Sequence, residues 1–363
     1  MQFIDLKSQQ AQIKDKIDAR IQDVLAHGQY VLGPEVREVE ALLAERTGVK
    51  HCITTASGTD SLLMALMAYG IGPGDEVITV PYTWISTAEV IALVGAKPVF
   101  VDIDDRSWNM DPQKMEAAIS ANTKAIMPVG IYGQPADMTA INEIAVRHNI
   151  PVIEDAAQCY GAQHGGVPSG ALSEIGSTSF FPSKPLGCYG DGGALFTNND
   201  DLATTLRQIR VHGQKEKHHH PIVGINGRFD TIQAAILLEK VAIFDEEIEK
   251  RNRVAKAYTD ALESSSLDVC APQVVEGNTS VWAQYTILAE SPSQLQDNLQ
   301  KQGIPSVSYY AVPLHLQPVF ASLGYEKGDF PVTERVASQC LSLPMNPYLS
   351  EQEVEQVTNA LKG

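Results

Sequence analysis

The chain has 363 residues, with 44 acidic against 27 basic side chains and a formal net charge of −17. That balance excludes nucleic acid as a partner, because a phosphate backbone is bound by clustered Lys and Arg that displace its counterions. Hydrophobic residues make up 44% of the sequence, enough for a large domain and a smaller one, yet no apolar run reaches the length of a membrane span.

In chain order, the opening MQFIDLKSQQAQIKDK lacks the apolar segment of a signal peptide, so the expected location is the cytoplasm. Ile13, Ile17, Ile21 and Val24 recur at helical spacing and predict an amphipathic helix that ends near HGQYVLGPE, where Gly28, Gly33 and Pro34 break the pattern. From residue 51 on, short apolar runs alternate with helix-period segments: HCITTA, EVITVPY, KPVFVDI, AIMPVGIYG, IPVIEDAA, STSFFP and GALFTN. Their continuous hydrophobicity is what strands covered on both faces require, so the fold class is α/β with a mainly parallel sheet between helices. The stretch from Thr231 to about Ser264 predicts one long helix, after which SVWAQYTILAE predicts a strand of a smaller α+β unit. A boundary near residue 245 divides the chain into 1–245 and 246–363. Ser350 and Glu353 have capping-box spacing ahead of a final helix. Cys52, Cys159, Cys188, Cys270 and Cys340 are widely spread without a CxxC pair, the pattern of reduced thiols rather than of a disulfide frame or a zinc site.

Three places carry chemistry. In IPVIEDAAQ an apolar strand runs into Glu154 and Asp155, which puts a carboxylate at the carboxyl end of a buried parallel strand, where open α/β sheets bind ligands. Taken alone, Asp155 serves equally well as a helix cap. Lys184, in FFPSKPLGCYGDGG, follows the next apolar run and stands between two prolines and a glycine-rich segment, a setting for an amine in a pocket rather than in solvent. Ser57, Gly58 and Thr59 lie between a strand and a helix whose free first-turn N–H groups attract phosphate, although small residues begin many helices. An amine, a strand-end acid and a phosphate cradle are what pyridoxal 5′-phosphate needs. The run His218, His219 and His220 lies in a polar loop, and consecutive histidines cannot all face one ion, so no metal is expected there.

The order and spacing of QYVLGPEV, ASGTDSL, GPGDEVI, YGQPADM, IEDAAQ, SFFPSKPLGCYGDGG, GRFDTIQAAIL and LSLPMNPYL cover essentially the whole chain. With them the sequence resembles the fold-type-I aminotransferases of the DegT/DnrJ/StrS type, which install amino groups on nucleotide-linked sugars. The resemblance implies that Lys184 is the Schiff-base lysine and proton carrier, that Asp155 pairs with the pyridinium nitrogen, and that Gln158 bonds the phenolic oxygen. It further implies phosphate contacts from Gly58, Thr59 and Ser179, and an indole, Trp84, against the cofactor face. Asn226 and Arg228 match positions that reach the neighbouring subunit's site, which implies a homodimer with shared active sites. Tyr309 and Tyr310 match substrate-facing positions, but Tyr309 stands where many relatives carry histidine and Ala311 where they carry proline, which leaves sugar specificity open. Several fragments, TSFFPSKPLGCYGDGGALFTN among them, are most similar to bacterial 3-aminotransferases that act on UDP-2-acetamido-2-deoxy-3-oxo-glucuronate with L-glutamate on the route to O-antigen uronic acids. Three alternatives stay open at this point: a 3- or 4-aminotransferase for a dTDP- or UDP-linked 6-deoxy keto-sugar; a sugar dehydratase, which would carry histidine in place of Lys184; and a cofactor-binding sensor, which would have a damaged acid–lysine pair.

Overall fold

In the computed structural model, which describes residues 1–362, the spacing of Ile13, Ile17 and Val24 yields the helix Leu6–His27, with those three side chains buried and Ile21 at the margin. Asp5 caps its start by accepting the Ser8 N–H, and Gly28 ends it in the left-handed conformation. The apolar runs then form β1 (His51–Thr55), β2 (Glu76–Thr79), β3 (Lys97–Phe100), β4 (Thr123–Ile126), β5 (Ile153–Asp155), β6 (Ile175–Ser179) and β7 (Gly193–Thr197). Hydrogen bonds order them β3-β2-β4 and β5-β6-β7-β1, and the parallel bridges Ile126–Val152 and Val129–Asp155 join the two parts into one sheet. Neighbours pair in parallel except along β7, which runs antiparallel to both β6 and β1.

Side chains alternate across a strand, so one sheet sustains two cores. Ile53 and Leu195 pack with Leu62 and Leu66 of the helix Gly58–Ala68 on one face, while Cys52 and Phe196 pack with Val39, Leu43 and Leu237 on the other. This double cover is the reason the strands read as unbroken apolar runs. The run AIMPVGIYG is only partly a strand: β4 stops at Ile126, and the chain turns at Ile131–Gly133 with Tyr132 at φ 58°. Pro128, which has no N–H to give a ladder, and Gly130 mark the point of departure.

The helix Thr231–Glu263 runs unbroken through residue 245 and belongs to two cores. Ala234, Leu237 and Phe244 join the main-sheet cluster, while Val254, Tyr258 and Leu262 pack with Tyr285, Leu341 and Val357. The latter group lies over a second, antiparallel sheet of β8 (Val269–Cys270), β9 (Tyr285–Ala289) and β10 (Cys340–Leu343). The first residues of the chain also lie on this second part, since Phe3 O accepts the Met345 N–H at 3.1 Å and Gln2 O accepts Asn346 Nδ2 at 3.2 Å. Ser350 and Glu353 form the reciprocal cap of the last helix, Glu351–Leu361. Among the described residues no helix is long and apolar enough to cross a membrane.

Candidate active site

The carboxyl ends of β5 and β6 open into a cavity of about 430 Å³. Among the residues lining it are Gly58, Thr59, Trp84, Asp155, Gln158, Ser179, Lys184, Tyr309 and Tyr310. Asn226 and Arg228 lie outside it, with Asn226 exposed and its Oδ1 accepting Arg228 Nε at 2.8 Å. A larger cavity of about 580 Å³ lies at the opposite ends of the strands, between Tyr69, Asp75, Lys124 and His148, and it carries no carboxylate and amine as deeply placed as Asp155 and Lys184.

Asp155 is the last residue of β5 and is buried, with its Oδ2 accepting the Thr87 hydroxyl at 2.8 Å and its Oδ1 the Ala157 N–H at 3.1 Å. Loss of water raises its pKa, and the two hydrogen bonds and the nearby Lys184 only partly oppose the rise. A carboxylate in this state is only partly compensated by positive charge, and a protonated ring nitrogen is the kind of group that completes it. The neighbouring Glu154 points away from the cavity, where it accepts the Ser169 hydroxyl at 2.7 Å and the Gly170 N–H at 2.9 Å.

Lys184 sits in the turn after β6, its N–H held by Phe181 O at 2.8 Å, and faces the cavity half-buried. Its pKa is lowered by loss of water, against the opposing pull of Asp155 and then of Cys159. The lowering favours a neutral, nucleophilic amine. Ser57 caps the helix Gly58–Ala68 by accepting the Asp60 N–H at 3.0 Å, which leaves the N–H groups of Gly58 and Thr59 without partners inside the helix. A Cβ added at Gly58 would lie 2.6 Å from Ser179 Cβ, so only glycine lets this helix start rest directly on the end of β6. The result is a set of donors at one end of the cavity, beside the Thr59 hydroxyl, which lies 2.9 Å from Ser86 Oγ.

Gln158 is buried, its Oε1 accepting the Tyr132 N–H at 3.0 Å and its Nε2 donating to Tyr310 OH at 3.3 Å. Trp84 is 56% exposed and its ring lies 6.1 Å from that of Tyr310, so one indole face is free for a flat ligand. The donor set thus fits pyridoxal phosphate: an amine for the aldehyde, a buried acid, an amide and a helix start spaced around one cavity. Sequence reasoning missed Ser86, Thr87, Asp191 and Gln284, which also line it. Ser86 and Thr87 read as an ordinary helix start, and Gln284 comes from the far end of the chain, where no local pattern marks it. The His218–His220 loop is exposed, with His220 Nδ1 2.9 Å from His212 O. Among the described residues no three His, Cys, Asp or Glu side chains converge as a metal site would require.

Comparison with known proteins identifies the family. The DegT/DnrJ/EryC1/StrS aminotransferase family matches residues 11–362. A Pseudomonas aeruginosa UDP-2-acetamido-2-deoxy-3-oxo-D-glucuronate aminotransferase is 54% identical over 99% of both chains. The crystal structure of a DegT DnrJ EryC1 StrS aminotransferase from Brucella abortus superposes with a TM-score of 0.96 at 48% identity, covering 100% of this chain and 99% of that one. NtdA from Bacillus subtilis, solved with bound cofactor PMP, superposes with a TM-score of 0.90 at 30% identity, covering 99% of this chain and 83% of that one.

Proposed function

Because the chain belongs to the DegT/DnrJ/EryC1/StrS aminotransferase family, we propose that it is a pyridoxal-phosphate-dependent transaminase that moves the amino group of L-glutamate onto the 3-keto carbon of UDP-2-acetamido-2-deoxy-3-oxo-glucuronate. The product is the 3-amino sugar used for O-antigen synthesis. The observation that carries the reading is the pair formed by the half-buried amine of Lys184 and the buried carboxylate of Asp155, at one cavity beside an open helix start. The 54% identity to the Pseudomonas aeruginosa protein supports the choice of sugar.

Pyridoxal phosphate, when bound, supplies an aldehyde that takes up amino groups and a ring that accepts electrons from a carbon losing its proton. Lys184 would hold the aldehyde, and its lowered pKa fits it to carry a proton between the α-carbon of the amino acid and the cofactor carbon. Asp155 would receive the ring nitrogen, and Gln158 would donate to the ring oxygen. Gly58, Thr59 and Ser179 would hold the phosphate, and Trp84 would cover one ring face. Tyr309 and Tyr310 would border the sugar. In a homodimer, Asn226 of the partner subunit would reach the phosphate and Arg228 of the partner subunit a substrate carboxylate, which its planar fork can bind in two places. Residues 1–245 form the larger, cofactor-holding unit of this reading and 246–363 the smaller one, in the cytoplasm.

The test offers purified protein L-glutamate with the UDP-3-oxo-glucuronate and, separately, with dTDP- and UDP-linked 6-deoxy keto-sugars, and identifies products by mass. Amination of the uronate is expected; turnover of the 6-deoxy compounds alone would contradict the assignment of substrate.

A further inference from the structure

Gln158 has two ends, and a ring oxygen is served by only one of them. A carboxamide turned by half a rotation would present its oxygen to the cavity and repel an anionic ligand atom. Which end faces inward is decided behind the cavity wall, by the turn Ile131–Gly133. Tyr132 stands there at φ 58° and ψ 0°, in the left-handed region that L side chains rarely take, and its N–H points at Gln158 Oε1, 3.0 Å away. An Nε2 in that position would meet another donor, so the oxygen end is fixed outward and the N–H end inward.

The turn is held on several sides. Asn109, 1% exposed, accepts the Ile131 N–H at 2.8 Å through Oδ1 and donates through Nδ2 to Gln134 O at 3.3 Å and Pro135 O at 3.2 Å. The segment before β9 closes the other side, as Val281 N–H reaches Gly133 O at 2.9 Å and Gln284 N–H reaches Tyr132 O at 3.3 Å. The ring of Tyr132 packs edge-on against Trp108 and Tyr82, and its hydroxyl donates to Tyr309 O.

We propose that Tyr132 is a positioning residue of the transamination site: its left-handed main-chain N–H fixes the Gln158 carboxamide so that an N–H faces the cofactor's ring oxygen. The proposal rests on the cofactor reading above and extends it to a residue that does not line the cavity.

The test compares Tyr132→Ala, Tyr132→Gly and Tyr132→Phe with Gln158→Ala in cofactor-loaded protein, reading the pH midpoint of the visible absorbance of the bound cofactor. A donor at the ring oxygen disperses the negative charge that retains the adjacent proton, so its loss raises the midpoint. Gln158→Ala is expected to raise it by about one pH unit, the worth of one hydrogen bond in such a site. Tyr132→Ala should move toward that value, because alanine resists positive φ and the packing of the ring against Trp108 and Tyr82, which helps to hold the residue there, is gone. Tyr132→Gly, which deletes the same ring but accepts φ 58° freely, should stay near wild type. Tyr132→Phe keeps the packing and the N–H and should also stay. The assignment is overturned if Tyr132→Ala keeps the wild-type midpoint, if Tyr132→Gly moves as far as Tyr132→Ala, or if Tyr132→Phe, which remains informative should the smaller variants not fold, moves as far as Gln158→Ala. Borohydride reduction followed by peptide mapping separates the two levels: absence of label on Lys184 defeats the cofactor reading itself, whereas label on Lys184 with unmoved midpoints defeats only the role of Tyr132.

Discussion

Two lysines of this chain have their pKa lowered by loss of water, and only one of them faces the cavity that holds Asp155. Lys184 lies in the turn after β6, faces a cavity of about 430 Å³ and has Asp155 as its counter-charge. Lys240, inside the helix Thr231–Glu263, is 1% exposed; its Nζ has no hydrogen-bond partner and lies 4.3 Å above the ring of Tyr189. Burial lowers the pKa of both, that of Lys240 to about 8. A perturbed amine is therefore not yet a site. The cavity and the acid make the difference, because they give the amine space for a ligand and a second charge to work with. The acids repeat the contrast within two adjacent residues: Asp155 lines the cavity, while Glu154 is enclosed by Ser169 and Gly170 and has its pKa pushed up to about 7.

The largest expected effect comes from the lysine that has both cavity and acid. Lys184→Ala should lower transamination by about 10⁴-fold, the scale of a lost acid–base group, as measured by single-turnover amination of the keto-sugar; near-normal rates would end the comparison. Asp155→Asn should cost about 10³-fold, because an amide cannot supply the charge a ring nitrogen needs, and it should weaken retention of the cofactor on dialysis.

Glu154 affects stability instead. A carboxyl raised from 4.5 to about 7 on folding holds its proton more tightly in the folded state. Its contribution is complete below about pH 4.5 and is lost as pH climbs to about 7, a change of about 3 kcal/mol. Urea unfolding of Glu154→Gln at several pH values should show that slope removed, since an amide does not titrate; its oxygen can still accept the Gly170 N–H, and its NH2 can donate to the Ser169 hydroxyl oxygen. The smallest effect belongs to Lys240→Met, which should raise stability by about 1–2 kcal/mol: it replaces a buried charge that has no hydrogen-bond partner with a side chain of similar volume, and the lost contact with the Tyr189 ring offsets part of the roughly 3 kcal/mol that the pKa shift represents. The gain should be full below about pH 8, the folded pKa, and shrink toward 10.5, where the unfolded lysine also loses its proton. Transamination should not change.

What could be read in the sequence follows the same division. The meeting of Lys184 and Asp155 at one cavity was legible because each follows an apolar run, and parallel strands deliver their ends to one edge of a sheet. The α/β class was legible from the unbroken hydrophobicity of those runs. The reversed direction of β7 was not, because GALFTN has the same composition whichever way it points. The turn at Tyr132 was hidden inside a run that looks like strand throughout, with Pro128 and Gly130 as the only local signs. Thr87, Gln284 and the joining of Phe3 to Met345 depend on contacts between distant parts of the chain, which no window of sequence contains. Lys240 in AAILLEKVAIF did carry a signal, a cation on an apolar helix face, but nothing nearby distinguished it from a side chain reaching solvent.

The measurement that tests the central claim most directly is borohydride reduction of the pyridoxal-phosphate-loaded protein, followed by digestion and mass mapping of the modified peptide. A reduced cofactor attached to Lys184, with Lys240 unmodified, is the predicted result. Label on Lys240 or any other lysine in place of Lys184, or no covalent label at all, would contradict it.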